Sequence, residues 1–173
     1  MTLILVLAIF PVLFAYFTFT SELNTAFMFS LVGLAFTVYG VIIPTAIRDF
    51  FGDKAMGIKT MTVRLGLVKA SLLSMALLSL GGILIGTAFF SVFYQGKYPL
   101  LSLLLIVIAV VDLIVLQKFK KLYTLAHEYE GSNNRKSIEQ EITDFSAKNP
   151  KWIMIVTQTY SAISIIMLVS KFS

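Results

Sequence analysis

The chain has 173 residues, of which 58% are hydrophobic and 13% are charged, and its formal net charge is +5. Soluble domains are about 45–50% apolar and about 25% charged, so the composition excludes an ordinary soluble protein and predicts an all-α membrane protein. The sequence has no cysteine and a single histidine, His127. These counts exclude disulfides, a thiolate metal site, a cysteine nucleophile and a multi-histidine metal centre.

Five apolar segments are long enough, or nearly so, to cross a bilayer, which takes roughly 20 largely apolar residues. In chain order they cover residues 2–19, 27–47, 67–93, 100–117 and 152–169. The first segment has no basic n-region and no small-residue cleavage site, so we interpret it as a span and not as a signal peptide. The sequence therefore predicts one transmembrane domain over residues 1–173, with five transmembrane helices.

The basic residues are unevenly distributed between the segments that connect these spans. Residues 48–66 and 118–151, together with the adjoining Lys69, hold twelve of the fourteen lysines and arginines. Because cytoplasmic loops are enriched in Lys and Arg, both segments are predicted to be cytoplasmic, with the N-terminus inside and the C-terminus outside. The net charge then follows from topology, and nucleic-acid binding loses its only support.

The first of these cytoplasmic segments, Arg48–Gly66, is called the aspartate loop from here on. Asp49 and Asp53 are four residues apart, which places both carboxylates on one face if the second span continues as a helix. Two such carboxylates can bind Mg²⁺ when substrate phosphates complete its shell. The basic residues suited to bind the phosphate oxygens are Arg48, Lys54, Lys59 and Arg64. The alternative is a solvated loop whose charges only reflect topology.

Glycines and a proline are the next features near this loop. Gly52, Gly57 and Gly66 are expected to allow turns and close backbone approach. Pro44, one turn before the loop, is predicted to kink the second span and to re-aim the aspartates. In the third span, glycines are predicted to allow close helix packing. The glycines concerned are Gly81, Gly82 and Gly86.

Asp112 lies inside the fourth predicted span, where a carboxylate is costly and usually faces a bundle interior. Three alternatives stay open for it. It contacts substrate or a cation, it hydrogen-bonds a neighbouring helix, or it leans toward Lys118 and the membrane interface. The pattern favours a structural role.

The segment 118–151 contains apolar residues at helical spacing. The first stripe consists of Phe119, Leu122, Ala126 and Tyr129. It predicts that the fourth span continues as an amphipathic helix, which ends at Gly131–Asn134. Ser137 and Gln140 resemble a capping box at the start of a second amphipathic helix. We interpret that helix as lying along the bilayer surface, with a role in gating substrate entry as the alternative.

The aspartate loop resembles the second aspartate motif of the UbiA superfamily of intramembrane prenyltransferases. That motif is D-x-x-x-D-x-x-x-G-x-x-T, followed by an apolar stretch that ends in glycine. The positions in register are Asp49, Asp53, Gly57, Thr60 and Gly66. The resemblance implies a partial UbiA-type bundle, in which the five spans correspond to helices five to nine of the family's nine.

The resemblance also implies an activity. Family members transfer a polyprenyl group from its diphosphate to an aromatic or lipid acceptor, in quinone or lipid biosynthesis, within the membrane and with Mg²⁺. Asp49 and Asp53 are then the catalytic residues that bind Mg²⁺ through the substrate diphosphate. The four basic residues of the loop bind the diphosphate itself, and Asp112 is a further candidate. The implied location is the cell membrane, with the active-site loop in the cytoplasm.

The family's first motif, N-D-x-x-D-x-x-x-D, is absent from the 173 residues. Before Asp49 the only acidic residue is Glu22, which the predicted topology places on the other side of the membrane. We therefore expect a fragment or one part of a split enzyme, inactive alone, whose partner is an N-terminal half with the first motif. The alternative is a non-catalytic membrane subunit or a degenerate relative that binds a partner. A transporter is a third hypothesis, and the sequence gives it little support.

Overall fold

The computed structural model describes residues 10–19, 21–22, 24–95, 103–132 and 135–172, and the regular structure in these ranges is helical. The all-α character predicted from composition is therefore confirmed for this part of the chain. The helices are α1 (Phe10–Phe19), α2 (Thr25–Arg48), α3 (Phe50–Ala55), α4 (Met61–Leu65), α5 (Leu67–Gln95), α6 (Leu104–Gly131), α7 (Arg135–Ala147) and α8 (Asn149–Phe172).

Among the described residues, two helices are long and apolar enough to cross a membrane, over Thr25–Arg48 and Leu67–Val92. These are α2 and α5, and their bounds agree within two residues with the predicted spans 27–47 and 67–93. Helices α1, α6 and α8 coincide with the other three predicted spans, although residues 2–9 and 100–102 of those spans lie outside the described residues. The five-span topology and its orientation stay predictions.

Helices α2 and α5 form an antiparallel hairpin whose backbones touch. A Cβ atom built on Gly40 would lie 2.8 Å from the backbone nitrogen of Leu78, and one built on Gly33 would lie 2.9 Å from the carbonyl oxygen of Gly81. The two helix backbones can come this close only because these positions have no side chain. Small residues at helix contacts have the same effect in other membrane proteins. The hairpin therefore presents the aspartate loop, which connects its two helices, on a rigid support.

The three glycines predicted to pack helices closely have different surroundings. A Cβ atom on Gly81 would collide with Thr37 of α2, so close packing is confirmed there. A Cβ atom on Gly82 would instead collide with the side chain of Asp112 on α6. At Gly86 the prediction is wrong, because a Cβ atom there would meet no atom within 4 Å.

Helix α6 continues to Gly131, as the apolar stripe predicted, and α7 folds back beside it. Helix α7 packs against α2 and α6, and Ile142 on its apolar face is fully buried. Protein, and not lipid, therefore covers the apolar face of α7, while the position of this helix relative to the bilayer stays a prediction. The hairpin of α6 and α7 instead forms a layer beneath the aspartate loop.

The predicted capping box at the start of α7 is also wrong. The helix begins at Arg135, two residues before Ser137, so Ser137 lies inside the helix and not at its N-cap. The side chain of Gln140 donates to Asp144 Oδ1 at 3.0 Å, one turn further along. A spacing that suits a cap also suits the interior of a helix, and here the interior contact is the one formed.

Buried apolar residues gather in two clusters. The first lies among α2, α5, α6 and α8, in the part of the bundle farther from the aspartate loop. The second, called the loop core, joins α2, α3, α5, α6 and α7 beneath the loop. Its buried residues are Ile43, Ile47, Phe50, Leu67, Ala70, Leu122, Leu125, Ala126 and Ile142. The loop therefore rests on its own apolar core.

The contact between α2 and α5 gives a prediction for Gly40→Ala. Its added methyl group meets backbone atoms of α5, so we expect a loss of roughly 1–3 kcal/mol in the free energy of unfolding. Gly86→Ala is the matched control, since the same methyl group enters open space. Thermal unfolding in detergent checks this, and equal melting temperatures for the two variants would contradict the observed packing.

Candidate functional site

The two aspartates lie on either side of a break in the helical backbone. Helix α2 ends at Arg48, and Asp49 has the angles φ −91° and ψ −2° before α3 begins at Phe50. The second span therefore does not continue as one unbroken helix through Asp53, which was the condition for placing both carboxylates on one face. The backbone N–H of Asp53 nevertheless donates to the carbonyl oxygen of Asp49 at 2.9 Å, so the helical four-residue relation survives the break.

Gly57 ends the helix that carries Asp53. The N–H of Ile58 donates to the carbonyl oxygen of Asp53 at 2.8 Å, and the N–H of Gly57 donates to that of Lys54 at 3.3 Å. With φ of +72° at Gly57, these bonds form a Schellman motif, the usual way to close a helix with glycine. The glycine four residues after Asp53 is thus a requirement of helix termination.

Thr60 and Gly66 have comparable structural tasks. The Thr60 side chain is the N-cap of α4 and accepts from the backbone N–H of Val63 at 3.4 Å. Gly66, with φ of +79°, turns the chain from α4 into α5. Gly52, in contrast, is helical within α3, so the turn expected there is absent. Among the five motif positions, only the two aspartates are left for chemistry.

Aromatic side chains attach the aspartate loop to the bundle. Phe50 is buried in the loop core, and the ring of Phe51 meets the ring of Tyr129 on α6 edge-on at 5.2 Å. At the far end of the loop, the Tyr39 hydroxyl of α2 donates to Met61 Sδ at 2.7 Å. The loop is therefore fixed at both of its helices, which restricts where the aspartates stand.

Arg48 is the basic residue that the structure brings directly to an aspartate. Its Nε lies 3.0 Å from Asp49 Oδ1 and its Nη2 lies 3.3 Å from Asp49 Oδ2, so the guanidinium donates two hydrogen bonds to the carboxylate. This hydrogen bonding and the charge of Asp49 raise the pKa of Arg48. Both side chains are about half exposed, so the pair is open to exchange with solvent ions.

Among the described residues, none of the other predicted phosphate ligands forms an ion pair with Asp49 or Asp53. The Lys54 ammonium lies 5.7 Å from the centre of the Phe50 ring and lines a cavity of about 250 Å³. Arg135 of α7, which the sequence analysis did not single out, lines the same cavity and stacks over Tyr129 at 5.8 Å. Lys59 and Arg64 are exposed on the loop.

The donor set of the loop fits Mg²⁺ in kind but is incomplete. Carboxylate oxygens are the ligands that this hard cation prefers. In the described ranges, no group of three or more His, Cys, Asp or Glu side chains comes together. Asp49 and Asp53 can therefore supply two carboxylates, and phosphate oxygens, water or another polypeptide segment have to supply the rest of the shell.

Pro44 leaves α2 with a backbone acceptor that the helix itself cannot satisfy. Proline has no N–H, so the carbonyl oxygen of Gly40 lacks its helical donor. The hydroxyl of Ser74, on α5, donates to that oxygen at 2.6 Å. The side-chain amide of Asn149, on α8, donates to the next carbonyl oxygen, that of Val41, at 2.6 Å.

These two hydrogen bonds connect three helices about two turns before the aspartate loop. Ser74 and Asn149 are almost completely buried, so water cannot substitute for either donor. The amide of Asn149 also reaches Thr45 Oγ1 at 2.8 Å. Sequence reasoning identified Pro44 but missed its partners. A proline inside an apolar helix is itself the signal that such donors must exist.

Asp112 forms a second buried polar contact, farther from the loop. The Tyr160 hydroxyl of α8 lies 2.8 Å from its Oδ1 and 2.7 Å from its Oδ2. Among the alternatives left open above, the structure shows the hydrogen bond to a neighbouring helix. Lys118 does not reach Asp112 and lies instead over the ring of Trp152, at 5.7 Å.

Asp112 is also remote from the aspartates. The Tyr160 hydroxyl that contacts it also neighbours Thr37 of α2. Thr37 precedes Arg48 by eleven residues, or about 16 Å along a helix. The Asp112–Tyr160 pair therefore belongs to the interior of the bundle and not to the aspartate loop.

Comparison with known proteins was made by sequence and by structure. A family model described as the UbiA prenyltransferase family matches residues 1–124, which is more than half of the chain. The matched range contains the whole aspartate loop and most of α6, whereas α7 and α8 lie beyond it. A search of curated proteins and a search of solved structures each returned no match.

The hydrogen bond from Ser74 to the Gly40 carbonyl predicts that the effects of Ser74→Ala and Pro44→Ala on the free energy of unfolding are not additive. Ser74→Ala should lower the free energy of unfolding by roughly 1–3 kcal/mol, because it leaves a buried carbonyl without a donor. In a Pro44→Ala background the backbone N–H at position 44 serves that carbonyl, so the same substitution should cost much less. Thermal unfolding of the four combinations in detergent measures the difference.

Ser79→Ala is the matched control for this cycle. Ser79 is on the same helix, and its hydroxyl donates within that helix, to the Met75 carbonyl oxygen at 2.9 Å. Its removal should cost the same with and without Pro44. An equal cost for Ser74→Ala in both backgrounds would show that the hydroxyl does not replace the missing proline N–H.

Proposed function

The chain belongs to the UbiA prenyltransferase family, and from that premise we propose that it transfers a polyprenyl group from its diphosphate to an aromatic or lipid acceptor. The observation that carries the proposal is the geometry of the aspartate loop. In this loop the glycine and the threonine of the motif have structural tasks, because they close one helix and start the next. Asp49 and Asp53 have no such task, so we assign the chemistry to them.

In this proposal Asp49 and Asp53 hold Mg²⁺ against the diphosphate of the substrate. Bound there, the metal ion would supply positive charge to balance that of the leaving diphosphate. Arg48 is exposed and pairs with Asp49 through a flexible side chain, so its guanidinium can reach phosphate oxygens bound beside Asp49. Lys54, with Lys59 and Arg64 from the rest of the loop, supplies further positive charge.

The reaction itself follows from the chemistry of an allylic diphosphate. The bond between the allylic carbon and the diphosphate oxygen breaks, and its electron pair leaves with the diphosphate. An electron-rich carbon or oxygen of the acceptor then bonds to the allylic carbon, and the acceptor loses a proton. Water would intercept the allylic cation, so in this proposal the reacting carbon lies toward the apolar bundle on which the loop rests, where water is excluded.

The proposal includes a partner segment with a second set of carboxylates. The described part of this chain gathers no cluster of three acidic or other metal-binding side chains, so two carboxylates are all that the loop offers. An N-terminal half with the first aspartate motif, on the same or another polypeptide, supplies the remainder. The loop lies on the cytoplasmic side of the membrane, where the water-soluble diphosphate is released.

Conservative substitution of the aspartates tests the site. The protein is reconstituted with the N-terminal half that carries the first aspartate motif, called the first-motif half. In this preparation we expect Asp49→Asn and Asp53→Asn each to lower prenyl transfer by about 100-fold or more, because preorganised charge at the leaving group is lost. Transfer of a radiolabelled prenyl group is the measurement. Asp144→Asn, an exposed carboxylate on α7, is the matched control and should keep full activity.

Retention of wild-type activity by both loop variants would contradict the diphosphate site. Absence of activity in every sample, with first-motif half and Mg²⁺ present, would favour the non-catalytic subunit instead. Melting temperatures of the variants in detergent separate loss of chemistry from loss of folding.

The partner requirement makes its own prediction. The purified 173-residue protein, with Mg²⁺, a polyprenyl diphosphate and acceptor, should show no turnover above background. Addition of the first-motif half should start the reaction, because it completes the metal shell and the wall of the cavity. Prenyl transfer by the 173 residues alone would overturn the split arrangement.

A further inference from the structure

A cavity of about 480 Å³ lies between α5 and α6, away from the aspartate loop. On α5 its first lining residue is Ser79, which follows Leu67 by twelve residues, or about 18 Å along the helix. The cavity therefore lies in the half of the bundle farther from the loop. Its volume is in the range of small-molecule sites, roughly 300–1,000 Å³.

The wall of this cavity carries one charged group. Within the described ranges, Asp112 is the single ionisable side chain among its lining residues, and it is 9% exposed. Ser79 is the other lining residue with a polar side chain, and its hydroxyl already donates within α5, to Met75. The remaining lining residues are glycine, alanine, leucine and isoleucine. The cavity is thus apolar with one carboxyl group.

The carboxyl group of Asp112 has unused hydrogen-bonding capacity. A carboxylate offers about four acceptor positions, and even a protonated carboxyl keeps lone pairs beyond its own O–H. In the described part of the chain its donor is Tyr160, which brings one proton that two oxygens share at 2.8 and 2.7 Å. In apolar surroundings an acceptor without a donor is unfavourable, so a further donor from the cavity stabilises the pair.

Two glycines shape the space around this carboxyl group. A Cβ atom on Gly82 would collide with Asp112 Oδ2, so the absent side chain is what gives the carboxyl group its place. Gly86, one turn further along α5, lines the cavity and leaves it open, with nothing within 4 Å of an added Cβ atom.

We propose that this cavity binds an apolar molecule with a hydroxyl group, taken up from the membrane, whose O–H donates to Asp112. The described lining residues include no lysine or arginine, which argues against a phosphate or diphosphate group as the polar end of the ligand. A neutral hydroxyl meets the carboxyl group without bringing a second charge into the membrane. The site is separate from the aspartate loop and does not depend on prenyl transfer.

The test uses two photoreactive probes with the full chain in lipid vesicles. One is a long-chain alcohol that carries a diazirine group, and the other is its methyl ether, which cannot donate a hydrogen bond. The alcohol should label the α5 and α6 residues that line the cavity about tenfold more than the ether, the effect of one hydrogen bond. Mass spectrometry of the labelled peptides gives the ratio.

Cavity variants make the test specific. Gly86→Phe fills the cavity, so labelling of its lining residues by the alcohol should fall to the level of the ether. Leu80→Phe, on the exposed surface of the same helix, is the matched control and should leave labelling unchanged. Asp112→Leu should also remove the preference for the alcohol. If that variant does not fold, Gly86→Phe still decides.

Equal labelling by the two probes would overturn the proposal, as would labelling that Gly86→Phe leaves intact. Asp49→Asn should leave the labelling ratio unchanged, because the aspartate loop lies elsewhere. Failure of the diphosphate site and failure of the hydroxyl site are therefore distinguishable in the same preparations.

Discussion

The candidate site depends on one backbone carbonyl group, which has no hydrogen-bond donor within its own helix because of a proline. The donors that replace it fix this helix to its neighbours. Pro44 leaves Gly40 without an N–H partner inside a helix that passes through apolar surroundings. Ser74 supplies the donor from α5, and Asn149 binds the adjoining carbonyl from α8. Because neither bond can be exchanged for water, α2 is fixed to two other helices about two turns before Asp49.

From that fixed point, ordinary backbone rules build the loop. The chain breaks at Asp49, forms one short helix that a Schellman glycine closes, and starts another at an N-cap threonine. The loop core and the contact between Phe51 and Tyr129 then press this arrangement onto α6. In the proposed site the loop therefore combines two candidate chemical residues with three residues that set their geometry.

Local patterns predicted local structure well. The bounds of α2 and α5, and the extension of α6 to Gly131, follow from hydrophobicity and periodicity that a short window contains. The capping box at Ser137 and the lipid-facing role of the apolar face of α7 were wrong, because tertiary contacts decide between patterns that suit more than one environment. Tyr160 and Asn149 could not be foreseen as partners of Asp112 and Val41, since only the fold brings such distant positions together.

Direct observation of cation binding tests the central claim that Asp49 and Asp53 present a cation to a diphosphate. Mn²⁺ can replace Mg²⁺, and electron paramagnetic resonance counts how much of it the 173-residue protein binds with a non-reactive prenyl diphosphate analogue. The account predicts one bound Mn²⁺ that requires the diphosphate and disappears when both aspartates are changed to asparagine. Binding of Mn²⁺ and the analogue that is the same in the doubly substituted protein would contradict it.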